Sequence, residues 1–224
     1  MDLLKKLLML IFGLFIFSMA IVLTIGSRLG ASPWDVFHLG ILNYSTLSLG
    51  QISQIAGLVI ILLAVFLGES PGIATILNMY LVGVFIDLLL NYRIIPVPHA
   101  LWQQYFMNLL GIYFFGWGTY FYMQAGLGSG PRDSLMLGLI KKTGKPVWMI
   151  RTFLEAGVLL IGYLLGGLVG IGTVMVAGLV GFSIQHVFSI MKSDPAEIRH
   201  ATLGEYYLLL KKSRQIKEAG KASE

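Results

Sequence analysis

Leu29-Gly-Ala-Ser-Pro-Trp-Asp-Val-Phe-His-Leu-Gly-Ile-Leu42 returns 98 residues later as Leu127-Gly-Ser-Gly-Pro-Arg-Asp-Ser-Leu-Met-Leu-Gly-Leu-Ile140. Both copies carry Gly-x-x-Pro-x-Asp, and both read as a helix start. Ser32 is a capping hydroxyl, Pro33 suits the first helical position because its missing N–H is not needed there, and Asp35 adds an acid to the first turn. Gly130-Pro131-Arg132-Asp133 repeats the arrangement with glycine as the cap. Each helix has some 12 residues before Asn43 or Lys141. At 1.5 Å per residue that is about 18 Å, too short to cross a hydrocarbon core. The two motif helices, 33–43 and 131–141, are therefore either interfacial or re-entrant.

The same offset aligns more of the chain. Gly13 and Phe17 fall on Gly111 and Phe115, and Gly72-Ile73-Ala74-Thr75 with Gly83 falls on Gly170-Ile171-Gly172-Thr173 with Gly181. Matches between leucines and valines carry little weight in apolar helices. The glycine, proline, aspartate and threonine matches carry more, and they identify an internal duplication with repeats at 1–98 and 99–191.

Around the motifs the chain is apolar. Of 224 residues, 56% are hydrophobic and 12% charged, and the mean hydropathy is +0.80. A soluble domain has about a quarter of its residues charged, so this chain could not cover a water-facing surface. Soluble enzymes and nucleic-acid-binding modules are thereby disfavoured, despite a net charge of +5. Long apolar helices are expected at 7–27, 49–67, 71–92, 101–125, 149–166 and 171–190. The first resembles a signal peptide in following Lys5 and Lys6, but it is too long and lacks a small-residue cleavage site. The fold expected is an all-α polytopic membrane protein, with six long transmembrane helices as two three-helix repeats.

The basic residues orient the spans. With the N-terminus inside, 14 of the 16 lysines and arginines are cytoplasmic, and Arg28 and Arg93 alone are outside, as the positive-inside rule requires. Both termini are expected in the cytoplasm. Three crossings per repeat insert the second copy upside down, the inverted plan that places transporter sites near the centre of the bilayer. The tail, 192–224, opens with the helix-start signal Asp194-Pro195-Ala196-Glu197. Tyr206 to Lys212 reads as a short amphipathic helix on the membrane surface.

Candidate functional residues follow from the motifs. Two helix starts converging from opposite faces would make a polar spot from Ser32, Pro33, Asp35, Gly130, Pro131, Arg132 and Asp133. The two aspartates are either first-turn caps or charges that hold a cation or move protons. Asp87, an ionisable residue in a span, is a further candidate, and its repeat counterpart is Gln185 beside His186. His38 lies in the first motif helix opposite Met136 of the second copy. Thr75 and Thr173 follow glycines and either bond to backbone or let helices approach. Gln51, Gln54 and Asn78 either line a polar path or bond between helices, and Arg151 and Glu155 pair at i,i+4. Glycine-rich faces such as Gly162–Gly170 admit a homodimer.

There is no H-E-x-x-H, G-x-S-x-G or phosphate-binding loop, and cysteine is absent. No catalytic, cofactor or metal set is expected. The partners expected are the lipid bilayer and a small polar or ionic solute, with no nucleic acid. Passage of that solute is the leading function; a non-transporting scaffold working through partner proteins is the alternative.

Gly128-Ser-Gly-Pro-Arg-Asp133, the short helix after it, Gly170-Ile-Gly-Thr173 and their first-half copies resemble the YczE/YitT-like bacterial membrane proteins. The resemblance covers roughly residues 7 to 190 and implies a bacterial inner-membrane location. It implies no substrate, reaction or site residues. Trp34 stands where the second copy has Arg132, which implies that the two halves bind differently.

Overall fold

The computed structural model describes residues 3–194 and 198, so most of the tail, including the expected amphipathic helix, lies outside the described residues. Among those residues there are eight helices and no strand: α1 (Leu3–Gly26), α2 (Pro33–Leu42), α3 (Leu49–Phe66), α4 (Ile73–Asn91), α5 (Leu101–Gln124), α6 (Pro131–Thr143), α7 (Val147–Leu164) and α8 (Ile171–Ile190). Five of them, α1, α3, α4, α7 and α8, are long and apolar enough to cross a membrane. α5 is long enough too, but Gln103, Gln104, Asn108 and its tyrosines make it less apolar than the rest. The chain is a multi-pass helical membrane protein.

Several helix boundaries have a local cause. Ser32 caps α2, its Oγ accepting from the Asp35 N–H at 3.3 Å. Ser48 caps α3 by accepting from the Gln51 N–H at 3.1 Å, while the Gln51 side chain accepts from the Ser48 N–H at 2.9 Å; together these satisfy two otherwise orphaned donors. α6 continues to Thr143, beyond the expected end at Lys141, because Lys141 and Lys142 favour the negative end of a helix. Gly144, left-handed at φ 66°, ends it. α1 begins at Leu3 rather than residue 7, taking in Lys5 and Lys6.

α1 lies along α5 as the central pair, with α4 beside α1 and α8 beside α5. α2 packs on α7, and α3 on both α4 and α6. The core on the central pair includes Leu10, Leu14, Ile21, Ile86, Leu89 and Phe115. Outward faces are apolar as well: Leu58, Leu62, Phe66, Phe153, Leu164 and Val174 are all exposed. In water such a continuous surface would aggregate; against lipid tails it has no cost.

Contacts between the halves come in matched pairs. The Gly172 N–H donates to the Leu29 carbonyl at 2.7 Å, and the Ala74 N–H to the Leu127 carbonyl at 2.9 Å. Gly30 packs against Gly170 and Thr173, and Gly128 against Gly72 and Thr75. On the central pair, Gly13 packs against Phe121 and Tyr122, and Gly111 against Leu23 and Thr24. Each of these residues is the counterpart, 98 positions on, of one in its partner contact.

The glycines offered by the sequence as a face between copies are used within the chain. A Cβ at Gly162 would lie 2.5 Å from the Phe37 nitrogen, and one at Gly170 only 2.3 Å from the Leu29 carbonyl oxygen. α2 and the loop before it already fill that space.

Candidate functional site

α2 and α6 are not surface helices. Pro33, Trp34, Asp35, Val36, His38 and Gly40 of α2 are buried, as are Pro131, Ser134, Leu135 and Gly138 of α6. Their first turns face a shared cavity of about 830 Å³, within the 300–1,000 Å³ usual for small-molecule sites. Ser32, Pro33 and Trp34 line it from one motif, and Gly130, Pro131, Arg132 and Asp133 from the other. Tyr122 of α5, Asn78 of α4, and Arg151 and Glu155 of α7 are among its other polar lining residues, with His38, Ser53, Thr119, Ser129 and Gln185, while Phe17, Phe115, Met79, Val82 and Val176 are among its apolar walls.

The charged groups are held differently. Arg132 lies over the Trp34 ring, with its guanidinium carbon 4.8 Å from the ring centroid, close enough for a cation–π attraction. Among the described residues, ion pairs within 4.0 Å join Lys141 to Glu69 and Arg151 to Glu155, His38 Nδ1 lies 3.7 Å from Asp35 Oδ1, and Arg132 belongs to none of these contacts. Asp133 accepts from the Tyr122 hydroxyl at 3.2 Å. Arg151 and Glu155 form the expected pair, Nε to Oε1 at 3.0 Å, at the exposed edge of the cavity, with the Arg151 side chain 55% exposed.

Three sequence candidates stand off the cavity. Asp35 is 2% exposed and is turned back into its own helix. It accepts from the Ser32 hydroxyl, and its Oδ1 is 3.7 Å from His38 Nδ1. Thr75 Oγ1 accepts from the Gly72 N–H at 3.0 Å and donates to the Ser129 carbonyl at 2.5 Å. Thr173 Oγ1 accepts from the Gly170 N–H at 3.3 Å. Both threonines fasten the start of a long helix, and Thr75 ties α4 to the loop before α6.

Asp87 is a fourth, and it caps α3 from a neighbouring helix. Its carboxylate accepts from the Ser48 hydroxyl at 2.5 Å and from the Gly50 N–H at 2.9 Å. Asp87→Ala strands a backbone donor at a helix start, which costs about 1–3 kcal/mol. A lowered thermal midpoint, with solute binding unchanged per folded protein, is the expected result; lost binding at an unchanged midpoint would return Asp87 to the site.

Sequence reasoning missed Tyr122, which no motif marks, and the place of Arg151 and Glu155 at the cavity's edge. It noted that Trp34 and Arg132 are unlike counterparts, and the structure stacks one on the other.

A model of a family of unknown function, DUF6198, matches residues 4–189. The uncharacterized membrane protein YczE of Bacillus subtilis (strain 168) is 39% identical over 183 residues, covering 81% of this chain and 83% of that protein. The chain belongs to the YczE-like family. An uncharacterized protein of Haemophilus influenzae is 33% identical over 191 residues, 85% of this chain and 87% of its own length. YyaS, a second uncharacterized Bacillus subtilis protein, is 28% identical over 182 residues, 79% of this chain and 88% of its own. No solved structure matches. The family match takes in all eight helices apart from the first residue of α1 and the last of α8, so the cavity lies wholly inside the family's extent.

Proposed function

We propose that this chain is a transporter or channel for a small polar or ionic solute, and not an enzyme. The observation that carries the reading is the cavity between the first turns of α2 and α6, with charged and hydroxyl groups set in its wall. A membrane scaffold has no use for two arginines, two carboxylates and a tyrosine hydroxyl around an open volume within its helices; exposing polar groups there is expensive unless they meet a solute or water. The scaffold alternative requires a filled centre. A screen of solute uptake into proteoliposomes tests the proposal: saturable uptake of at least one solute is expected, and retention of the cavity without any uptake counts against it.

In this reading all six long helices span a bacterial inner membrane as two inverted repeats, with α2 and α6 re-entrant. The matched contacts Gly172–Leu29 and Ala74–Leu127 support such a relation, because a two-fold axis generates contacts in pairs. Reporter fusions check the orientation. Fusions at Arg93 and Gly167 are expected outside, and those at Gly68, Gly144 and the tail inside; a reversed result at either terminus overturns the inverted arrangement.

A further inference from the structure

Four charged side chains line the cavity: Arg132, Asp133, Arg151 and Glu155. Two of them close on each other, Arg151 to Glu155 at 3.0 Å. Arg132 and Asp133 do not, since consecutive residues on a helix project in different directions. The guanidinium has the Trp34 ring as its neighbour and no hydrogen bond or close ion pair among the described residues. The carboxylate has one hydroxyl, that of Tyr122. The cavity thus presents a positive and a negative group that do not pair with each other, on neighbouring positions of the α6 first turn, with aromatic, methionine and valine side chains also in its wall.

Pairing decides what fits. A lone anion would leave the Asp133 carboxylate without a cation, and a lone cation would leave the Arg132 guanidinium without an anion, each a costly state inside an apolar bundle. A solute bearing both charges satisfies both. Resting on the reading of this cavity as the solute site, we propose that it takes a small zwitterion with an apolar body. The anionic group pairs with Arg132, whose planar fork matches a carboxylate or phosphate. The ammonium pairs with Asp133, and the apolar part lies against Phe17, Phe115, Met79 and Val82. An amino acid with an apolar side chain has this chemistry, and so does the head of phosphatidylethanolamine.

Three probes of one shape separate the charge requirements: L-phenylalanine, phenylacetate, which lacks the amine, and phenethylamine, which lacks the carboxylate. Titration calorimetry on the purified full chain is expected to show L-phenylalanine binding about tenfold or more tighter than either single-charge probe, the equivalent of one good charged contact. Arg132→Gln is expected to bring L-phenylalanine down to the level of phenethylamine, and Asp133→Asn down to that of phenylacetate. Arg132→Lys, which keeps the charge, retains the preference for the zwitterion and carries the test if the glutamine variant does not fold. No saturable binding of L-phenylalanine, equal binding of a single-charge probe, or a ranking untouched by both variants overturns the proposal.

Repeating the titration in phosphatidylglycerol nanodiscs with and without phosphatidylethanolamine identifies the source of the ligand. Competition by that lipid assigns the site to a lipid head, and undiminished binding assigns it to a free zwitterion. Zwitterion binding without uptake into proteoliposomes upholds the ligand class and sinks the transport reading. Uptake of a singly charged solute, unaffected by the two variants, does the reverse.

Discussion

Alanine at Gly30 is expected to destabilise the protein by roughly 2–5 kcal/mol, from backbone strain and overpacking combined. Gly30 sits at φ 126°, where a side chain is strained whatever the space around it. The space is also absent: a Cβ would lie 2.5 Å from Thr173 Oγ1 and 2.8 Å from the Gly170 nitrogen. Gly128, at φ 131°, is in the same position, with the Gly72 Cα 2.8 Å from its would-be Cβ. Gly144→Ala is the control, because φ there is 66° and nothing lies within 4 Å; it carries strain alone, about 1 kcal/mol. Thermal unfolding in detergent measures all three. Gly30→Ala and Gly128→Ala no worse than Gly144→Ala would mean that the contact between the halves is loose.

Loss of charge at Asp133 is the second large effect. Asp133→Asn is expected to reduce uptake at least tenfold while leaving the thermal midpoint nearly where it was. The amide keeps the shape and still accepts from the Tyr122 hydroxyl, whereas a charge pairing with the solute is worth about 1.4 kcal/mol or more. Asp35→Asn has the opposite profile. Asp35 binds Ser32 and faces His38 rather than the cavity, so its replacement lowers the midpoint, and uptake falls only as the amount of folded protein falls. Proteoliposome uptake beside a thermal melt separates the two aspartates. If Asp133→Asn transports normally, both are helix-start residues and the solute is held elsewhere.

The long helices were legible because lipid imposes one simple condition, a run of apolar residues of sufficient length, and this chain meets it with few charges. The motif helices were legible for a different reason: Ser32-Pro33 and Gly130-Pro131 are local signals that need no tertiary context. Which acid faces a cavity was not legible. Asp35 and Asp133 occupy the same position in their copies, yet one bonds to its own cap and the other to Tyr122. The difference arises because Ser32 offers Asp35 a hydroxyl and Gly130 offers Asp133 nothing. Asp87 was misleading in another way. An acid within a span signals function by default, but whether it meets a solute or the start of a neighbouring helix depends on how α4 packs on α3. Tyr122 had no signal at all, since in an aromatic-rich helix one tyrosine reads like the rest.

The bonds from Gly172 to Leu29 and from Ala74 to Leu127 also bear on how the molecule is made. A ribosome releases the Leu29 carbonyl early, but its donor, the Gly172 N–H, is not synthesised until α8 begins. The loop ahead of α2 therefore waits, unfinished, through the manufacture of α3 to α7. Neither half completes itself: each supplies the clasp that the other lacks. The first half thus carries an unmet carbonyl at Leu29 until α8 is made. Two separately expressed halves, by contrast, carry all the parts needed to close on one another.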